Sequence, residues 1–121
     1  MKNVLSLLLM SFFFINCSSQ EEVKSISTIE LKVLLEKENI QLVDVRTPEE
    51  IEQGFIETAK FANFYDADFY TKITTQLDKN KSVYLYCRSG GRSGKSAKIL
   101  QEKGYTVYNV LGGYNQWKQE N

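Results

Sequence analysis

Histidine is absent from all 121 residues of this chain. That excludes a Cys–His protease, a Ser–His–Asp hydrolase and any metal site built on imidazole, and no metal or cofactor is expected. Formal net charge is also absent, with 15 basic residues balancing 15 acidic ones. A nucleic-acid partner therefore has no global electrostatic support. Cysteine occurs only at Cys17 and Cys87, and each sits in a context with its own explanation, so an intramolecular bridge is not expected. Proline occurs once, at Pro48, and no internal repeat or low-complexity segment is visible. No apolar run reaches the ~20 residues of a comfortable membrane span.

What is present is an ordinary globular composition, 42% hydrophobic and 25% charged. The first stretch stands apart from it. Met1-Lys2-Asn3 precedes a run from Val4 to Ile15 that is apolar on every face apart from Ser6 and Ser11, and Asn16-Cys17-Ser18-Ser19 follows. One early lysine and about a dozen apolar residues fit a secretory signal peptide. The cysteine closing the run resembles the lipobox of bacterial lipoproteins, although Phe14, Ile15 and Asn16 depart from its usual residues. The resemblance implies cleavage before Cys17, lipidation of Cys17, and a domain anchored in the bacterial cell envelope, periplasmic or at the surface. The alternatives are an ordinary secreted protein and a short uncleaved anchor. The expected organisation is a signal peptide over 1–16, a lipid-anchored tether over 17–24 and one domain over 25–120.

Within that domain, hydrophobic period and cap residues alternate between strand and helix. Ser27-Thr28-Ile29-Glu30 is a capping box opening a helix with Leu31, Leu34 and Leu35 on one face. Gln41 to Val45 reads as a short strand with an acid inside it; buried Asp44 needs a partner, and Arg46 is adjacent. Thr47-Pro48-Glu49-Glu50 is a second capping box, with Pro48 at the favoured first helical position. Lys60 to Phe64 reads as another short strand. Phe69, Tyr70, Ile73 and Leu77 fall at helical spacing between Asp66 and Leu77, and their simplest role is core. Ser93 to Lys103 reads as a helix with Ala97 and Leu100 inward and Gly104 as terminator. Strands over Val83–Tyr86 and Tyr105–Val110, then a Gly112-Gly113 turn and a last helical turn docking Trp117, complete the pattern. Alternation of this kind predicts an α/β fold with a mainly parallel central sheet and helices on both faces. Sites in such sheets lie at the carboxyl ends of strands, where both Cys87 and the Asp44–Arg46 segment fall.

Chemistry is concentrated in Cys87-Arg88-Ser89-Gly90-Gly91-Arg92-Ser93. A strand ending at a cysteine, a glycine pair and a helix start converge several backbone N–H groups on one point. A thiol there ionises more easily, because helix N-termini and nearby arginines both lower its pKa. The charge pattern agrees: Arg88 to Lys103 carries five bases and one acid, whereas Glu49 to Glu57 carries four acids and no base. Arg92, placed at a helix start against the dipole, is read as functional.

The domain resembles a single-domain rhodanese, a sulfurtransferase family. Four stretches carry the resemblance in order: Asp44 to Glu50, similar to D-V-R-x-x-x-E; Gly54 to Ala59, set where the family has G-H-I-x-G-A; the cysteine loop; and Val110 to Tyr114 with Trp117, similar to L-x-G-G-x-x-x-W. Phe55 and Thr58 depart from the family's histidine and glycine. The resemblance implies that Cys87 takes a sulfane sulfur from a donor such as thiosulfate and passes it to a thiol or cyanide-like acceptor. A protein acceptor fits the same reading, its identity open. The loop residues Arg88, Ser89, Gly90, Gly91, Arg92 and Ser93 would bind the anionic donor and stabilise the persulfide. Gly90 and Gly91 supply tight backbone, Ser93 opens the helix, and Arg88 and Arg92 grip the donor. Asp44 is read as the partner of a loop arginine, and Arg46 as a site organiser.

Two rivals belong to other classes. A cysteine phosphatase or arsenate reductase uses C-x5-R, whereas Arg92 gives C-x4-R and position 93 is serine. One residue fewer makes a cradle better sized for sulfur than for a tetrahedral oxyanion. The other rival is a non-turnover sulfur carrier or sulfide-sensing module tethered at the membrane.

Overall fold

The computed structural model describes residues 22–121, so the apolar leader, Cys17 and most of the expected tether lie outside the described residues. Five strands form one parallel sheet: β1 (Lys24–Ile26), β2 (Gln41–Asp44), β3 (Lys60–Phe61), β4 (Val83–Tyr86) and β5 (Val107–Val110), in the order β1-β5-β4-β2-β3. Helices α1 (Thr28–Lys37), α2 (Pro48–Glu52), α3 (Phe69–Thr74), α4 (Gly91–Glu102) and α5 (Gly113–Glu120) connect or follow them.

Side-chain alternation along the strands builds two cores, one on each face. Val43, Val83, Leu85 and Val107 point to the face covered by Phe69 and Ile73 of α3 and by Ala97 and Leu100 of α4. Leu42, Tyr86 and Val110 point to the opposite face, against Leu31 of α1 and Trp117 of α5. The α/β architecture with helices on both faces is therefore the one predicted. Both capping boxes form: Ser27 Oγ accepts from Glu30 N–H at 3.0 Å and Thr47 Oγ1 from Glu50 N–H at 3.3 Å, while each glutamate accepts from its cap's N–H.

Several local expectations change. Lys24 does not belong to a tether but opens β1, paired with Tyr108 at the sheet edge. Three residues are too few to show a hydrophobic period, which hides this strand in the sequence. The strand predicted over 60–64 stops at Phe61, and the helix predicted over 66–77 contracts to Phe69–Thr74. Asp68 makes no side-chain cap there. Tyr70 is not core: it is 40% exposed, with Lys103 Nζ 6.0 Å from its ring.

Thr58 adopts φ +74° where the resembled family carries glycine. A β-branched residue in the left-handed region costs about 1–2 kcal/mol. The departure in sequence is thus accommodated as backbone strain at Thr58.

Candidate active site

Cys87 immediately follows β4, and the loop after it runs into α4. Gly90 sits in the left-handed region at φ +118° and turns the chain so that its own N–H donates to Cys87 Sγ at 3.1 Å. Of the two glycines expected to supply tight backbone, only Gly90 does so; Gly91 is the first residue of α4. Ser93 likewise does not open the helix. It lies buried in the first turn, with Oγ 3.4 Å from the sulfur.

Cys87 is a free thiol, 1% exposed. Burial pushes its pKa up, but hydrogen bonding by the Ser93 hydroxyl and the N–H groups of Ser93, Gly90 and Ser89 outweighs burial. The net direction is below the ordinary thiol value, which favours the nucleophilic thiolate.

The two arginines of the loop have different environments. The Arg88 side chain is exposed and makes no hydrogen bond or ion pair among the described residues. Arg92 instead places Nη1 and Nη2 on Glu50 Oε1 and Oε2 at 2.8 and 2.9 Å, with the Tyr65 ring centroid 5.5 Å from its guanidinium carbon. Its guanidinium fork is filled by a carboxylate, so it acts on Cys87 through its field. Glu50 also offsets the cost of placing a cation at a helix start. The sequence marks that glutamate as a capping residue and as the acid closing the Asp44 to Glu50 stretch; its pairing with Arg92 depends on α2 meeting α4.

Asp44 and Arg46 form a buried pair. Arg46 Nη2 lies 2.7 Å from Asp44 Oδ2, and Arg46 Nε donates to Oδ1 at 2.9 Å. This corrects the expectation that Asp44 holds a loop arginine: its partner is its near neighbour, because the chain bends at Arg46, whose N–H also donates to Asp44 Oδ1 at 2.9 Å. Arg46 then donates to Gly54 O at 2.8 Å and lies 4.3 Å from the Tyr114 ring and 5.6 Å from Tyr86. Tyr86 accepts from Ile56 N–H at 3.0 Å; burial first, then Asp44's charge, pushes its pKa up. Arg46 thereby joins β2, the Gly54–Ile56 turn and α5. Tyr86 and Tyr114, read in the sequence only as the end of a strand and as part of the C-terminal motif, supply the rings that pack on Arg46.

A cleft of about 330 Å³ opens beside the loop, lined among others by Arg88, Glu49, Glu50, Tyr114 and Lys118. Among the described residues no group of three or more His, Cys, Asp or Glu could hold a metal ion.

The model of the rhodanese-like domain family matches residues 27–120. The Bacillus subtilis protein YtwF is 41% identical over 100 residues, which cover 82% of this chain and 94% of YtwF. The thiosulfate sulfurtransferase GlpE of Coxiella burnetii is 33% identical over 96 residues, covering 78% and 87%. The crystal structure of a rhodanese-like domain protein from Staphylococcus aureus superposes with a TM-score of 0.71 at 40% identity, covering 78% of this chain and 91% of that one.

The Glu50–Arg92 pair has a pH signature. Hydrogen bonding to Arg92 is the main cause holding the Glu50 carboxyl down at about 2, against an ordinary 4.5. A depressed carboxylate stabilises the fold fully above its unfolded pKa and loses that contribution as pH falls through the folded value. Wild-type stability should therefore carry an acid-dependent component between pH 4.5 and about 2 that Glu50→Gln lacks. At neutral pH the substitution should cost about 1–2 kcal/mol. Urea melts of both proteins across that window check the prediction; identical pH profiles would contradict it.

Proposed function

The chain belongs to the rhodanese-like domain family, relatives of which are named sulfurtransferases, and from this premise we propose that it moves a sulfane sulfur through a persulfide on Cys87. The Cys87 thiolate attacks the outer sulfur of a donor such as thiosulfate. A new S–S bond forms as the donor's S–S bond breaks, and the departing electron pair leaves with sulfite. A thiolate or cyanide then attacks the terminal sulfur, and Cys87 departs as thiolate. Electrons balance over the cycle without an external oxidant.

The observation that carries this reading is the Gly90 N–H on Cys87 Sγ at 3.1 Å, at the start of α4. A helix N-terminus has N–H groups without intrahelical partners, and these suit an anion that moves from one sulfur to the next. They stabilise charge where it develops and need no reorganisation during transfer. Unpaired Arg88, on the rim of the adjoining cleft, is the cation available to an anionic donor. Arg92 supports the thiolate from a fixed position against Glu50.

The domain would act at the cell envelope through a lipid on Cys17, a reading supported by the apolar run ahead of that cysteine. Labelled palmitate should enter the wild-type protein in a bacterial host and be lost in Cys17→Ser; equal labelling of both would sink the anchor.

For the chemistry, wild-type protein should turn over thiosulfate with cyanide. Cys87→Ser should show no transfer while keeping its circular dichroism and melting temperature. Transfer retained by that variant would refute the mechanism. A persulfide that forms but never discharges would favour a carrier, and phosphate release from an ester without persulfide would favour a phosphatase.

A further inference from the structure

Asn109 is the one polar residue among the buried positions of β5, and the alternation that turns Val107 toward α4 turns Asn109 there too. It is 8% exposed. Its Nδ2 donates to Gly90 O at 3.2 Å, and its Oδ1 accepts from Ser93 Oγ at 2.6 Å. Gly90 and Ser93 both place polar groups on the Cys87 sulfur. A third neighbour has been shaped to admit this side chain. A Cβ at Gly94 would stand 3.3 Å from Asn109 Nδ2, and glycine inside a helix is otherwise disfavoured.

The donors and acceptors of this cluster constrain one another. The Gly90 carbonyl can only accept, so it selects the Nδ2 end of the amide and leaves Oδ1 facing Ser93. Oδ1 can only accept, so it takes the single Ser93 hydroxyl proton. That one proton has two acceptors within reach, Asn109 Oδ1 at 2.6 Å and Cys87 Sγ at 3.4 Å, and the shorter contact holds it on Asn109. When Cys87 ionises, the sulfur draws on the hydroxyl as a further donor beside the loop N–H groups, and the hydroxyl must leave Asn109 to serve it. That move strands a buried amide oxygen.

We infer that Asn109 is a positioning residue of the sulfur-transfer site: it fixes Gly90 and competes with Cys87 for the Ser93 proton, favouring the resting thiol. The inference rests on Cys87 being the sulfur carrier, but it concerns ionisation of the free thiol, before any sulfur is transferred. The charged groups around Cys87 are Arg88 in the loop and Arg92 on α4 with its partner Glu50 on α2. The Asp44–Arg46 pair of the β2 end is engaged with Gly54 and with the Tyr86 and Tyr114 rings. None of these groups hydrogen-bonds to Ser93 or Asn109.

A double-substitution cycle on the full chain tests the competition. The readout is the pH dependence of Cys87 alkylation by iodoacetamide, resolved by peptide mass spectrometry so that Cys17 does not contribute. Asn109→Leu removes both polar ends, and in the presence of Ser93 it should lower the thiolate pKa by about one unit relative to its effect in a Ser93→Ala background. Loss of the Gly90 anchor enters both backgrounds equally and cancels. Equal effects of Asn109→Leu with and without Ser93 would overturn the inference. If Asn109→Leu does not fold, the wild-type protein answers: the Asn109 side-chain amide resonances should titrate with Cys87, and resonances unmoved through that titration would overturn it. Because no sulfur donor is used, failure here leaves the transfer assay intact, and failure of that assay leaves this result standing.

Discussion

A loop that turns its N–H groups toward one sulfur must turn its carbonyls away, and those carbonyls need donors of their own. The start of α5 supplies them. Tyr114 N–H donates to Cys87 O at 2.9 Å and Asn115 N–H to Arg88 O at 3.0 Å. The orphan donors of one helix terminus thus satisfy the loop whose own N–H groups serve the sulfur at another. This contact sets the identity of Gly113. Its φ is +55°, and a Cβ there would lie 2.6 Å from both the Cys87 and Arg88 carbonyl oxygens. The glycine pair of the C-terminal motif is accordingly part of the cysteine's environment, although it stands 26 residues away in sequence.

Charge is arranged so that fixed ions build the site and a free one remains at its edge. The Asp44–Arg46 pair is almost fully withdrawn from water and ties β2 to the Gly54 turn and to α5. Removing one partner of such a pair generally costs about 3–5 kcal/mol, since the other is left as a buried charge. The second pair, Glu50 with Arg92, is partly exposed and joins the first turns of α2 and α4. Both carboxylates thus neutralise arginines close to the sheet's carboxyl edge. Arg88 is left as the loop arginine free to meet an incoming anion. That division of labour separates two residues which the loop sequence presents as equivalent.

Most of the fold was legible because the strands and caps are strongly marked. Two capping boxes, a single proline at a helix start and a terminating glycine placed helices between apolar runs, and parallel order followed. The edge strand over Lys24–Ile26 was not legible: it is short, polar and held by pairing to β5. Cys87 and its loop stood out through residue type and spacing alone. The partners of that loop did not, since Glu50, Tyr114 and Asn109 reach it across the sheet from 37, 27 and 22 residues away. Asn109 did leave a trace, as a polar residue at an inward position of an apolar strand, and Gly94 left another inside a helix. Neither is readable as a site until β5 and α4 are known to pack together.

The central claim is that Cys87, polarised by backbone N–H groups at the start of α4, is the atom that carries sulfur between two substrates. Intact-mass spectrometry after incubation with thiosulfate alone tests it most directly. The account requires an added mass of one sulfur atom, located on the peptide containing Cys87 and removed by a thiol reductant or by cyanide. An unchanged mass, or an adduct located elsewhere on the chain, would contradict it.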